Sequence, residues 1–197
     1  MTLTSELLDR ALTLPTDPPL RPLPLEVALL LRELAAPPRL AAHLRAVHDV
    51  AVELVDWVRA RHPGLAFDRE AVLFGAATHD VGKVLHPEEL AGPGSAHEAA
   101  GRELLLRRGV GADRARFAAT HAGGEEPGAT VEDLLVAVAD KVWKDKRVAG
   151  LEDRLVRALA EGAGREPWEE FLALDELLAR LGADAGHRLA FQAAFPV

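Results

Sequence analysis

The sequence predicts an all-α protein, and three observations carry that prediction. Apolar residues recur at steps of three and four through most of the 197 residues, which lays a stripe along one face of each helix. No stretch alternates apolar and polar residues long enough to make a half-buried strand, and β-branched residues other than valine are sparse. Helix-opening residues and Gly or Pro stops bracket one stripe after another.

The elements follow in chain order. Residues 5–14 place leucines at 7, 8, 12 and 14 for a first helix, and Pro15, Pro18, Pro19, Pro22 and Pro24 then forbid regular structure. Residues 25–36 resume a helix that stops at Pro37-Pro38. From Arg39, the residues Leu40, Leu44, Val47, Ala51, Leu54 and Val58 define a core-facing helix ending near His62-Pro63-Gly64. Asp68 caps a helix running through Phe74 and Gly75 to His79-Asp80, and Gly82 and His86-Pro87 terminate it. After a loop with Gly92, Pro93 and Gly94, Ser95 opens a helix to about Arg108, with Glu98 at capping-box spacing. Residues 113–121 form a shorter helix broken by Gly123-Gly124, and Thr130, with Asp133 three residues on, opens the next to about Ala149. Residues 151–160, 167–181 and 185–191 complete the set, and no internal repeat is present. The expected organisation is one globule: 1–38 as N-terminal helices and a Pro-rich segment packing on the main body, 39–150 as the main domain, and 151–197 as its C-terminal helices.

Composition bounds the function. A chain of this length buries one good core, and 49% hydrophobic with 27% charged residues is ordinary for a soluble globular protein. Cysteine is absent, which excludes disulfides and thiolate metal sites and leaves His, Asp, Glu and water as ligands. The net charge of −8 with no long basic run argues against a nucleic-acid duplex as partner. The N-terminus lacks a basic leader and a long apolar core, and no apolar stretch is long enough to cross a bilayer, so the expectation is a cytoplasmic protein with no membrane partner. Oligomeric state is open.

Chemistry concentrates in a few polar residues on apolar helices. His79 and Asp80 are adjacent and leave the helix end about 100° apart, so both can reach one cation near that end. His43 heads the buried stripe of its helix, whereas His48 is rotated about 140° from it; His43 is favoured as the first ligand and His48 stays open. His97, His121 and Asp140 stand on later helices, one per element, where each can point into a shared interior. Lys83, four residues beyond His79, is placed to meet a substrate phosphate or to pair with Asp80. Lys144 and Arg147 follow Asp140 at helical spacing, beside Trp143, and are weaker candidates for binding a phosphate and stacking a base. His86 and Glu98 are candidates for a proton donor or a ligand-supporting partner, and His62 and His187 read as surface.

The order His43, His79-Asp80-Val81-Gly82-Lys83 and Val138-Ala139-Asp140-Lys141 resembles the HD superfamily of metal-dependent phosphohydrolases, over about residues 39–147. Ala96-His97-Glu98-Ala99-Ala100-Gly101 and Ala118-Ala119-Thr120-His121 resemble the segments that supply two more histidines in binuclear branches, closest in motif set to the bacterial HD-type diadenosine-tetraphosphate hydrolases. The Gly-Tyr-Pro motif of the cyclic-dinucleotide branch is missing, since the chain has no tyrosine. The resemblance implies an HD-domain helical bundle with short N- and C-terminal extensions and a ligand set of His43, His79, Asp80, His97, His121 and Asp140 around two divalent transition-metal ions, with Asp80 as the bridge. Imidazoles with few carboxylates suit Fe, Mn, Co, Ni or Zn. The implied activity is hydrolysis of a phosphoester or phosphoanhydride in a small nucleotide-like substrate by a metal-bridged hydroxide, with Asp80 and Lys83 in the catalytic machinery. Two alternatives stand beside it: a mononuclear HD nucleotide monophosphatase, and a non-catalytic nucleotide-binding signalling module.

Overall fold

The computed structural model describes residues 3–121 and 128–197, and among these there is no strand. The expected break at Gly123-Gly124 lies outside the described residues. The helices are α1 (Leu3–Thr13), α2 (Leu25–Glu33), α3 (Pro38–Arg61), α4 (Arg69–Thr78), α5 (Ala96–Arg107), α6 (Ala112–Ala115), α7 (Phe117–Thr120), α8 (Val131–Val142), α9 (Ala149–Ala163), α10 (Pro167–Ala183) and α11 (Ala185–Ala193). Two short 3-10 turns, Val81–Val84 and Pro87–Leu90, join α4 to α5.

Helix α3 is the spine. Its 24 residues span about 36 Å, long enough to serve two adjoining cores. From Ala46 onward it packs Val47, Leu54 and Val58 into one core with α4, α8, α9 and α10, where Leu135, Leu155 and Leu178 are buried. The N-terminal half packs Leu40 and Leu44 against α1, α2, α5 and α11. Arg45 ties in the proline-rich segment. Its guanidinium donates to the carbonyls of Leu14 at 2.9 Å and Leu20 at 2.8 Å, and also to those of Ala11 and Arg21. That is the physical demand of a segment whose carbonyls have no helix or strand to satisfy them.

Local signals match the helix starts where a side chain closes the cap. Asp68 accepts from the Ala71 amide at 2.9 Å, and Thr130 and Asp133 form a reciprocal capping box. Three expectations fail. Ser95 makes no side-chain cap; Glu89 takes that place, accepting from the amides of Ala96 at 3.0 Å and His97 at 3.2 Å. Residues 113–121 are two short helices meeting at Arg116, not one. Helix α8 stops at Val142 rather than near residue 149, because Asp145 takes the left-handed conformation (φ 58°) while the Lys146 amide donates back to the Lys141 carbonyl.

Candidate metal centre

Five elements converge where α3 and α4 meet α5, the end of α7 and α8. Helix α4 ends at Thr78, so His79 and Asp80 emerge at its C-terminus and the chain turns sharply into Val81–Val84. Gly82 in that turn lies directly on α5: a Cβ there would overlap the His97 carbonyl and the Gly101 amide. Gly101 returns the close approach, since its own Cβ would sit 3.0 Å from the Gly82 amide nitrogen. Two glycines thus let backbone meet backbone and bring His97 to Asp80.

Asp80 stands at the centre and is 3% exposed. Its Oδ2 is 3.1 Å from His43 Nε2 and 3.7 Å from His79 Nε2. Its Oδ1 is 3.0 Å from His97 Nε2 and 3.4 Å from His121 Nε2. Asp140 closes the first side, with Oδ1 3.4 Å from His79 Nε2 and 3.9 Å from His43 Nε2. The two groups His43-His79-Asp80 and Asp80-His97-His121 each gather donor atoms tightly enough for one ion, and Asp80 is common to both. A third group, His86-Glu88-Glu89, lies at the rim.

The donor chemistry fits cations. His79 Nδ1 lies 2.9 Å from the Ala76 carbonyl, and His121 Nδ1 3.2 Å from that of Ala118; a carbonyl only accepts, so each Nδ1 holds the proton. His97 Nδ1 meets the Glu89 carboxylate on the same logic. Each Nε2 then presents a lone pair inward, toward other lone pairs and carboxylate oxygens; His43 Nε2 and His79 Nε2 are only 3.3 Å apart. His97 Nε2 is buried without a hydrogen bond. Such a gathering of electron pairs is stable only around positive charge, and outward N–H groups fixed by acceptors are how metal-binding imidazoles are oriented.

Charge is already polarised here. Burial raises the Asp80 carboxyl, but its interactions with His79 first, and then with His121, His43 and His97 donating an Nε2–H when no cation is bound, outweigh it and hold the group well below the carboxylate range. Asp140 is lowered in the same way, burial being overcome by His79 and by Lys141. Lys83 Nζ is 2.6 Å from Asp80 Oδ2, and Lys141 Nζ 2.6 Å from Asp140 Oδ2.

The family model for the HD domain matches residues 24–143. The chain belongs to the HD domain family. HD domains are generally metal-dependent hydrolases, and the His/Asp groups of this HD domain are able to hold a divalent metal. No curated protein and no solved structure matches the chain.

The HD domain gathers His43, His79, Asp80, His97, His121 and Asp140 in one place. His48 lies elsewhere on α3, buried and with its pKa lowered to about 4 by burial and by the charges of Arg21 and Arg69. Lys83 pairs with Asp80 from the 3-10 turn rather than from a continued helix. The structure does not bring Lys144 and Arg147 to the cluster by helical spacing, because α8 ends first. Lys144 is exposed, and Arg147 is held by Glu152 and Asp175, each at 2.8 Å. Trp143 packs against His43 in a T-shaped contact, with ring centroids 4.9 Å apart, and at 3% exposure it offers no free face for a base. His62 is not a surface residue: it is buried, 3.0 Å from Glu170 Oε2. His86 contacts Glu88 at 3.2 Å, outside the main cluster. Glu89 was not legible as a site residue; the nearby Ser95-x-x-Glu98 spacing imitated a self-contained cap, and only the Gly-rich turn between Glu89 and His97 hinted at a chain folding back.

Proposed function

We propose that this HD domain is a phosphohydrolase with a two-ion centre, cleaving a phosphoester or phosphoanhydride in a nucleotide-like substrate. The observation that supports it is the division of the Asp80 carboxylate, with Oδ2 toward His43 and His79 and Oδ1 toward His97 and His121. His43, His79, Asp140 and Asp80 Oδ2 would hold one ion, and His97, His121 and Asp80 Oδ1 the other. Bound divalent ions supply Lewis acidity toward phosphoryl oxygens and lower the pKa of bound water.

The chain's own residues supply the rest. Asp80, kept ionised, fixes the two halves relative to one another. Lys83 and Lys141, with side chains 18% and 21% exposed, each pair with one of the candidate ligand carboxylates, and both would receive the negative charge of a phosphate if ions held those carboxylates. The buried walls of α3, α4 and α8 exclude bulk water and strengthen each of these interactions. The motif set resembles the HD-type diadenosine-tetraphosphate hydrolases, so dinucleoside polyphosphates are the first substrates to try.

The test is a screen of dinucleoside polyphosphates, nucleoside mono- and triphosphates and cyclic nucleotides with Mn, Fe or Co, run with metal analysis. Two equivalents of metal and turnover of a polyphosphate are expected, with activity abolished in His97→Ala and in His121→Ala. Turnover of a monophosphate alone, only dented by those substitutions, would point to a one-ion centre. Full metal occupancy with no turnover of any phosphate ester would point to a binding module.

A further inference from the structure

The four imidazoles of the centre are not held alike. His79 and His121 sit at helix C-termini, where a carbonyl of the preceding turn is at hand to accept their Nδ1–H. His97 occupies the first turn of α5, where no preceding helical carbonyl exists. Its orientation has to come from outside the helix. It comes from Glu89, on the 3-10 turn Pro87–Leu90, whose carboxylate accepts from His97 Nδ1, from the His97 amide at 3.2 Å and from the Ala96 amide at 3.0 Å.

Three donors on one carboxylate, with the Glu89 side chain only 7% exposed, make this a built contact rather than a surface pairing. Its space is reserved as well, because a Cβ on Gly94 would overlap the Glu89 carboxylate. The same group therefore caps α5, accepts from His97 Nδ1 and so aims Nε2 at Asp80 Oδ1, 3.0 Å away. Among the described residues no carboxylate supports the His43-His79 half in this way: the Ala76 carbonyl of the same helix accepts from His79 Nδ1, and His43 Nδ1 has no partner.

We infer that Glu89 is the positioning residue that decides whether the centre accepts a second ion. The inference rests on the two-ion reading above and adds a division of labour: the half-site with His43, His79 and Asp140 is built by α3, α4 and α8, whereas the half-site with His97 depends on the loop between α4 and α5. Displacing Glu89 returns the protein to a one-ion centre.

The experiment is calorimetric titration of metal-free protein with Mn or Co, comparing wild type with Glu89→Ala, Glu89→Gln and Gly94→Ala. Wild type is expected to take up two equivalents in resolvable steps. In Glu89→Ala the first step stays within about twofold and the second weakens by about 10–100-fold, the usual cost of losing a ligand's supporting partner. Glu89→Gln, which keeps an acceptor for the Nδ1–H, restores part of the loss, and Gly94→Ala weakens the same step with the carboxylate still present. A readout independent of metal is the long-range proton–nitrogen spectrum of His97, which should show the Nδ1–H form in wild type and lose it in Glu89→Ala. An unchanged second step together with an unchanged His97 tautomer overturns this assignment alone. One equivalent in wild type overturns the two-ion reading and the assignment together. If circular dichroism shows Glu89→Ala unfolded, the Gln and Gly94→Ala titrations decide.

Discussion

Asp80 and His48 show what burial does to single ionisable residues in this protein. Asp80 is buried among imidazoles that favour its charged form, so it remains a carboxylate. His48 is buried with two arginine charges acting on it and no acceptor at Nδ1, so it remains neutral, with its pKa lowered to about 4. The consequence for stability has a definite sign. The unfolded chain takes up a proton at His48 below pH 6.5 while the folded protein resists until about 4. The contribution of a neutral His48 is therefore complete above pH 6.5 and is lost as pH falls toward 4. Between pH 7 and 5 that loss is roughly 2 kcal/mol. Urea unfolding at the two pH values should show it in wild type and show it reduced by that amount in His48→Gln; equal pH slopes in the two proteins would refute it. Along the chain His43 and His48 differ only in the helix face each occupies. The packing separates them, because only His43 lies within reach of Asp80.

At the scale of elements, helix starts were legible where the capping residue and its partner are neighbours in sequence, as at Asp68 and Thr130. They were misread where the partner comes from another element, as Glu89 does for α5. Helix ends depend on backbone conformations that a sequence signals weakly, and Asp145 in the left-handed region ended α8 without a glycine. The contact between the turn Val81–Val84 and α5 is the most demanding junction in the site. Alanine at Gly82 would drive a methyl into backbone, not into a side chain able to move. Gly82→Ala should therefore lose about 1–3 kcal/mol of stability in denaturant unfolding, the usual range for overpacking. A substitution costing under a few tenths would mean that α5 moves away freely.

For the whole molecule, the six converging side chains gather nitrogen and carboxylate donors that only the folded chain brings together, so folding and metal uptake should be linked. At an ion concentration 100 times Kd the linkage is about 2.7 kcal/mol per site. For a chain of this size that raises the melting temperature by several degrees, on the order of 5–10 °C. Thermal unfolding with Mn and with a chelator checks this; identical curves would exclude specific binding. At the same scale, α10 is fastened to the end of α3 by a buried cluster. Glu170 accepts from Arg61 Nε at 2.8 Å and lies 3.0 Å from His62. Neither His62 nor Glu170 stood out in the sequence, since each lies beside residues that read as exposed and the two are far apart along the chain. No described helix is long and apolar enough to cross a membrane.

The sequence by itself determined the all-α class, nearly every helix and the short roster of His and Asp residues, His43 and His48 both among them, from which the converging six are drawn. Periodicity, local caps and residue chemistry are short-range properties, written within a few residues of one another. Only the tertiary structure decided that His43 rather than His48 joins the cluster, that the Asp80 oxygens divide between two imidazole pairs, that Trp143 is wall rather than platform, and that Glu89 orients His97. Those outcomes depend on which face of one helix meets which end of another. That choice is made by packing across long sequence separations, where no local pattern reports it.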